Sequence, residues 1–307
     1  MKDFSKNGHS KDVQHDVEVV ARKTMKQRMM AKISVLPAMF TLLNAISGFG
    51  SIYFTVKIGG FEGGVNNPEI LTNLQYAAGL MFVAMFCDML DGRVARMTRT
   101  TSDFGAQLDS MCDVISFGVA PAILALRASV GLLRENIQYL PVERIIWAVA
   151  AIYVCCAVLR LARFNVETEQ DESSHMDFKG LPTPAAAACI ATMVLLLSDL
   201  MKNNPWDWLC VDQLAWTMSI TLPILMLVTA MLMVSGFKYP HVVNHYIRGK
   251  KPFTYLVKFV VICLVAIVQP YLTFAVITLI FTISGPIKAI FTRNKDSETS
   301  GSLTSKN

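Results

Sequence analysis

Charge is what this sequence has least of. Only 17% of its 307 residues are Asp, Glu, Lys or Arg, while 53% are hydrophobic and mean hydropathy is +0.44. Soluble domains carry roughly a quarter of their residues as charges, so a water-soluble globule is excluded. Basic residues are missing altogether from Ile58–Asn73. The seven cysteines (87, 112, 155, 156, 189, 210 and 263) form no C-x-x-C pair and no zinc spacing. Most lie in apolar runs, which makes them small packing residues. No internal repeat, second domain or base-reading module is visible. The first 32 residues are polar and basic, with no apolar core of a cleavable signal peptide.

What is present is a series of long apolar runs. Eight stand out, at about Ile33–Lys57, Leu74–Leu90, Leu108–Leu126, Ile145–Phe164, Ala185–Met201, Leu214–Val234, Phe253–Gln269 and Tyr271–Ala289. Most approach the roughly 20 residues that cross a bilayer core as helix. The expectation is an all-α, polytopic transmembrane helical bundle of about eight spans over residues 33–290. A basic segment, 1–32, precedes it, and a disordered tail, 291–307, follows, ending NKDSETSGSLTSKN. Within the first segment, Val17, Val20, Ala21, Thr24 and Met25 share one helical face, so Val17–Met29 reads as an amphipathic helix lying on the membrane.

Basic residues give the orientation. They crowd the N-terminal segment, the stretch with Arg93, Arg96 and Arg99, and the connection with Lys238, Arg248, Lys250 and Lys251. The positive-inside rule makes these segments and both termini cytoplasmic. Trp206, Trp208 and Trp216 cluster near the opposite interface. The net charge of +5 then reflects topology and affinity for anionic membrane lipids, with no nucleic-acid partner. The setting expected is the plasma (inner) membrane of a prokaryote.

Against this background four carboxylates stand out in CDMLDGRVARMTRTTSDFGAQLDSMCD, Cys87–Asp113. The pattern is D-x-x-D-G-x-x-A-R, eight residues, then G-x-x-x-D-x-x-x-D. Asp88 with Asp91, and Asp109 with Asp113, each fall one helical turn apart on one face. Aspartates at membrane depth are costly and are kept where they meet a polar cavity, a partner or an ion. The second span is expected to run as helix to about Met97. After a turn at Thr98–Thr101, Ser102 caps the third helix, with Asp103 in its first turn. Two antiparallel helices then bring the two pairs together. All-oxygen ligands of this kind suit magnesium or manganese.

Two divalent metal ions between such carboxylates suit phosphoryl chemistry, and a carboxylate not fully occupied by metal can take a proton from an attacking hydroxyl. Gly92, Ala95 and Gly105 fit as points of close approach for a nucleotide, and Arg96 as a bidentate phosphate donor. Asn44, a buried amide in the first span, wants a partner, for which the nucleotide is a candidate. Taken singly these features have plainer readings: a solvated helix end, a turn, or an ion relay in a divalent-cation transporter.

The complete string resembles the signature of the CDP-alcohol phosphotransferase family at every position. The resemblance implies a dimeric integral membrane enzyme that displaces CMP from a CDP-linked donor with a hydroxyl acceptor. It makes Asp88, Asp91 and Asp109 metal ligands, and Asp113 both ligand and general base. It carries Gly92, Ala95, Arg96 and Gly105 over as nucleotide contacts. LPAMFTLLNAISG (Leu36–Gly48), DVISFGVAPA (Asp113–Ala122), LRLARFNVE (Leu159–Glu167), FKGLPTPAAAA (Phe178–Ala188) and LMVSGFKYP (Leu232–Pro240) resemble the phosphatidylserine synthase branch. That implies CDP-diacylglycerol as donor and L-serine as acceptor.

On the acceptor side, Arg163 is a candidate for the serine carboxylate, with Asn165 beside it. Arg160 is a second candidate, against the reading that it marks an ordinary positive end of a span. Ser116, three residues after Asp113, can share its helical face. Gly180 and Pro182 read as a turn into the fifth span, and Lys179 as a residue for lipid headgroups. Glycerol 3-phosphate or inositol phosphate remain alternative acceptors, although they would want a denser basic cluster.

Overall fold

In the computed structural model the described residues are 35–58, 67–98, 103–134, 140–170, 178–203, 210–239 and 253–304. The amphipathic segment Val17–Met29, Ser102, Trp206 and Trp208 lie outside them. Nine α-helices are described: α1 (Val35–Lys57), then α2 (Pro68–Thr98), α3 (Asp103–Asp113), α4 (Ala120–Arg134), α5 (Leu140–Gln170), α6 (Thr183–Asn203), α7 (Val211–Val234), α8 (Phe253–Val268) and α9 (Pro270–Thr304). A π-helical segment, Val114–Val119, joins α3 to α4 and makes them one membrane span.

Among the described residues, seven helices are long and apolar enough to cross a membrane. The expected seventh span, Phe253–Gln269, is helical over Phe253–Val268, whose 16 residues reach roughly 24 Å. That falls just short of a full apolar crossing. The second and third spans extend well beyond their apolar runs, because helix continues through the aspartates. Pro68 opens α2, and the Asn67 Oδ1 accepts the Glu69 N–H at 3.0 Å, an N-terminal cap. At the other end of the chain, helix persists through residues 291–304, where polar composition suggested a disordered tail. Extending an existing helix adds a hydrogen bond for each residue fixed, without a new nucleus.

α6 is central. It packs on α2, α7 and α9, while α4 and α5 pack on α7. The seams are built from small residues, among them Ala77, Ala78 and Ala84 of α2 and Ala186, Ala187 and Ala191 of α6, all buried. Small side chains let membrane helices approach closely where no hydrophobic effect drives them together. Met39, Ile46 and Phe49 of α1 are exposed apolar side chains, as a lipid-facing helix requires.

Among the described residues one two-stranded ladder departs from all-α. Phe178–Lys179 (β1) pairs antiparallel with Lys238–Tyr239 (β2), in register Phe178↔Tyr239 and Lys179↔Lys238. It ties the entry of α6 to the exit of α7. Gly180 donates its N–H to the Phe237 carbonyl at 2.8 Å, and Leu181 to Leu232 at 3.0 Å. Gly180 sits at φ +87°, and a Cβ there would collide with the Met233 carbonyl oxygen, so the expected turn demands glycine. Tyr239 is buried against Gly285 and donates to the Thr282 carbonyl at 3.0 Å, which fastens the ladder to α9.

Candidate active site: a carboxylate centre at one end of the bundle

Helical periodicity on α2 and α3 brings three of the motif aspartates together. Asp88, Asp91 and Asp109 each direct a carboxylate oxygen into one cluster, all within 4.8 Å of one another. Asp91 is buried and the other two are half-buried. Three like charges gathered in a membrane interior are unstable without a cation. Asp91 Oδ2 and Asp109 Oδ1 are buried with no hydrogen-bond partner. Buried acceptors are normally satisfied, so these two oxygens are the local mark of a ligand. The donor set is all oxygen and fits a divalent cation such as magnesium or manganese.

Asp113 lies outside that set of three. It is buried, and its Oδ1 accepts the Asn44 Nδ2–H at 2.9 Å across 69 residues of sequence. Asn44 is wholly buried; its Nδ2 is given to Asp113, while its Oδ1 is buried with no hydrogen-bond partner, and the sequence suggested the nucleotide as its partner. Ser116 was a candidate for the acceptor. Instead it is fully buried and donates to the Asn44 backbone carbonyl at 3.0 Å. Asp113 and Ser116 both bond to Asn44, so they share a face of the helix as their spacing implied, with Ser116 inside the π-helical turn. The turn sits in a fitted niche. A Cβ on Gly48 of α1 would collide with Ser116, and Tyr153 of α5 donates to the Phe117 carbonyl at 3.2 Å.

The nucleotide candidates line the same end of α2 and α3. Gly92, Ala95 and Gly105 are half-buried. Nothing lies within 4 Å of a Cβ built on Gly92, so there is open space beside it. Arg96 is exposed and folds back to donate from Nε to the Gly92 carbonyl at 2.9 Å. That bond leaves its terminal amino groups to reach a phosphate.

A cleft of about 510 Å³ opens between α3 and α5, with Gln107, Asp109, Ser110, Asp113, Phe164 and Asn165 in its wall. Of the acceptor candidates only Asn165 lines it. Asn165 and Ser110 exchange hydrogen bonds at 2.9 and 3.1 Å. Arg160 is buried, its guanidinium 5.7 Å from the Phe164 ring centre, and Arg163 is half-buried one turn along α5. Ser110 and Gln107 were not anticipated. Their signal was polarity inside the motif's variable positions. Thr41 of α1, which hydrogen-bonds Asp91, was also missed, because nothing local links positions 41 and 91.

The arrangement defines a polytopic membrane protein with a carboxylate centre inside its helical bundle and a cleft opening beside it. A profile described as CDP-alcohol phosphatidyltransferase matches residues 34–223, more than half of the chain and the whole of this site. The chain belongs to the CDP-alcohol phosphatidyltransferase family, and is therefore a membrane-embedded transferase. It is similar to the archaetidylserine synthase of Methanothermobacter thermautotrophicus, at 32% identity over 71% of this chain and 75% of the relative. It is 33% identical to the CDP-diacylglycerol–serine O-phosphatidyltransferase of Methanocaldococcus jannaschii, over 72% of this chain and 88% of that protein. The enzyme of the same name from Helicobacter pylori is 38% identical over 54% of this chain, and the match spans 60% of that relative.

Proposed function

We propose that the protein transfers the phosphatidyl group of CDP-diacylglycerol to the hydroxyl of L-serine, giving phosphatidylserine and CMP. The observation that carries the reading is the convergence of Asp88, Asp91 and Asp109, with two orphaned buried oxygens, beside a cleft that also reaches Asp113. The relatives named as serine phosphatidyltransferases support the choice of acceptor.

Asp88, Asp91 and Asp109, with Asp113 beside them, would hold two divalent ions. When bound, these would neutralise the pyrophosphate and stabilise the oxygen that leaves with CMP. Gly92, Ala95 and Gly105 let the nucleotide approach the helix backbone, and Arg96 pairs with a phosphate. Asn44 holds Asp113 Oδ1, so its Oδ2 is the oxygen that accepts the serine hydroxyl proton. The serine oxygen forms its bond to the phosphorus that carries diacylglycerol, and the bond from that phosphorus to CMP breaks. Asn165, paired with Ser110, orients the amino acid in the cleft, and Arg163 and Arg160 on the same helix favour its carboxylate. The lipid tails stay in the bilayer. The motif end faces the cytoplasm of a prokaryotic inner membrane, and the enzyme works as a homodimer.

The test is CMP release by the purified protein in detergent, with manganese or magnesium and CDP-diacylglycerol, with and without L-serine. Serine-dependent CMP together with phosphatidylserine is expected. CMP release that ignores serine but rises with glycerol 3-phosphate or inositol phosphate would overturn the acceptor. Because one relative is named for archaetidylserine, a donor with an archaetidyl lipid is run in parallel. Asp113→Asn should abolish turnover while CDP-diacylglycerol still binds.

A further inference from the structure

A second cleft, of about 400 Å³, lies at the opposite end of the bundle, where α4 leaves the membrane and α5 enters it. Leu126, Arg127 and Val130 of α4 form one wall, and Glu143, Arg144 and Trp147 of α5 the other. The transferase chemistry uses none of them. Arg127 lies four residues before the end of its span at Gly131, and Arg144 three after Pro141 opens the next. Both guanidinium groups therefore sit within about a turn of the bilayer boundary, where long cationic side chains reach the headgroup layer. Trp147 is 63% exposed at the same level, the position in which an indole bridges acyl chains and headgroups.

We infer that this cleft binds the headgroup of a membrane aminophospholipid from the leaflet opposite the aspartate motif. Its chemistry is complementary to such a group. Two guanidinium forks suit a phosphodiester, and the Glu143 carboxylate suits a primary ammonium. Leu126, Val130 and Trp147 supply the apolar wall along which a glycerol backbone and the upper acyl chain would lie. The volume is in the range of small-ligand sites and matches a headgroup with its glycerol, leaving the tails in the bilayer. A purely anionic lipid would meet Glu143 as a like charge. A free anion would leave the apolar wall uncovered.

The full-length protein, delipidated in a neutral detergent, is titrated with phosphatidylethanolamine, phosphatidylglycerol, phosphatidylcholine, inorganic phosphate and phosphoethanolamine. Binding is read by native mass spectrometry and by tryptophan fluorescence, neither of which needs turnover, so the outcome is independent of the transferase reading. Phosphatidylethanolamine is expected to bind in preference to phosphatidylglycerol and phosphatidylcholine. Arg144→Gln and Glu143→Gln, both at exposed positions, should each weaken it by about tenfold, the equivalent of one charge-assisted hydrogen bond. Trp147→Phe should remove the fluorescence change while leaving lipid binding measurable by mass. Equal binding of phosphatidylglycerol, a full response to inorganic phosphate or phosphoethanolamine, or unchanged affinity in both charge variants would overturn the inference.

Discussion

Replacing Asn44 with alanine separates two roles that this residue could have. A nucleotide contact would act on donor binding, whereas a hold on Asp113 would act on proton transfer. The 2.9 Å bond from Nδ2 to Asp113 Oδ1 is buried and has a carboxylate acceptor. Bonds of that kind contribute about 1.5–3 kcal/mol. If the carboxylate is held for the transition state, its loss lowers kcat by about 10- to 150-fold. The fold should survive the change, because the Ser116 bond to residue 44 uses the backbone carbonyl and remains available. A matching thermal unfolding transition checks that point. Steady-state CMP release, varied in donor and then in serine, separates kcat from both KM values. A fall in kcat with donor KM changed by less than about twofold is expected. A raised donor KM with kcat intact would refute the reasoning and return Asn44 to the nucleotide.

Asp91→Asn should weaken manganese binding, read by calorimetry without substrate, by more than the roughly 10- to 100-fold that changes just outside a ligand shell cost. Gly48→Ala drives a Cβ into Ser116 and should cost about 1–3 kcal/mol of stability as overpacking, lowering the unfolding temperature. Gly92→Ala meets nothing within 4 Å, so the unfolding temperature should hold while donor KM rises; an unchanged KM would remove Gly92 from the nucleotide site. Burial pushes the Tyr239 phenol up to about 12. Its neutral form is favoured by folding, so that contribution is intact below about pH 10 and is lost as pH climbs towards 12. Tyr239→Phe should flatten the decline of unfolding temperature over that window.

The aspartate centre was legible because charge is scarce here, and four carboxylates at turn spacing have few explanations in a membrane. Gly180 was legible as a turn, since the glycine and the prolines after it leave little else. The partner of Asn44 was not, because nothing local links residues 69 positions apart. That Ser116 shares a face with Asp113 was legible from the spacing; that its hydroxyl goes to the Asn44 backbone was not, and VISFGV contains no signal for the wider turn. The length of α8 and the helix through residues 291–304 escaped composition because both depend on what neighbouring helix is already formed. The short ladder of Lys179 with Lys238 was equally hidden, since like charges in register argue against pairing.

The π-helical turn after Asp113 has a consequence for which changes in length this span tolerates. Its wider loop accommodates one residue more than an α-helix would, so it acts as an indexing joint between two rods. Removing a single residue from Val114–Val119 would close the wider turn to an α-helical one and leave Asp109 and Asp113 near their present phase relative to the half that packs on α7. Removing one from the regular helix on either side, where no spare residue is taken up, would turn them by roughly 100°. That second protein would still be apolar, long enough and helical, with its carboxylates pointing at the wrong neighbour. Between the motif and the bundle, the joint tolerates one missing residue and the rods beside it tolerate none.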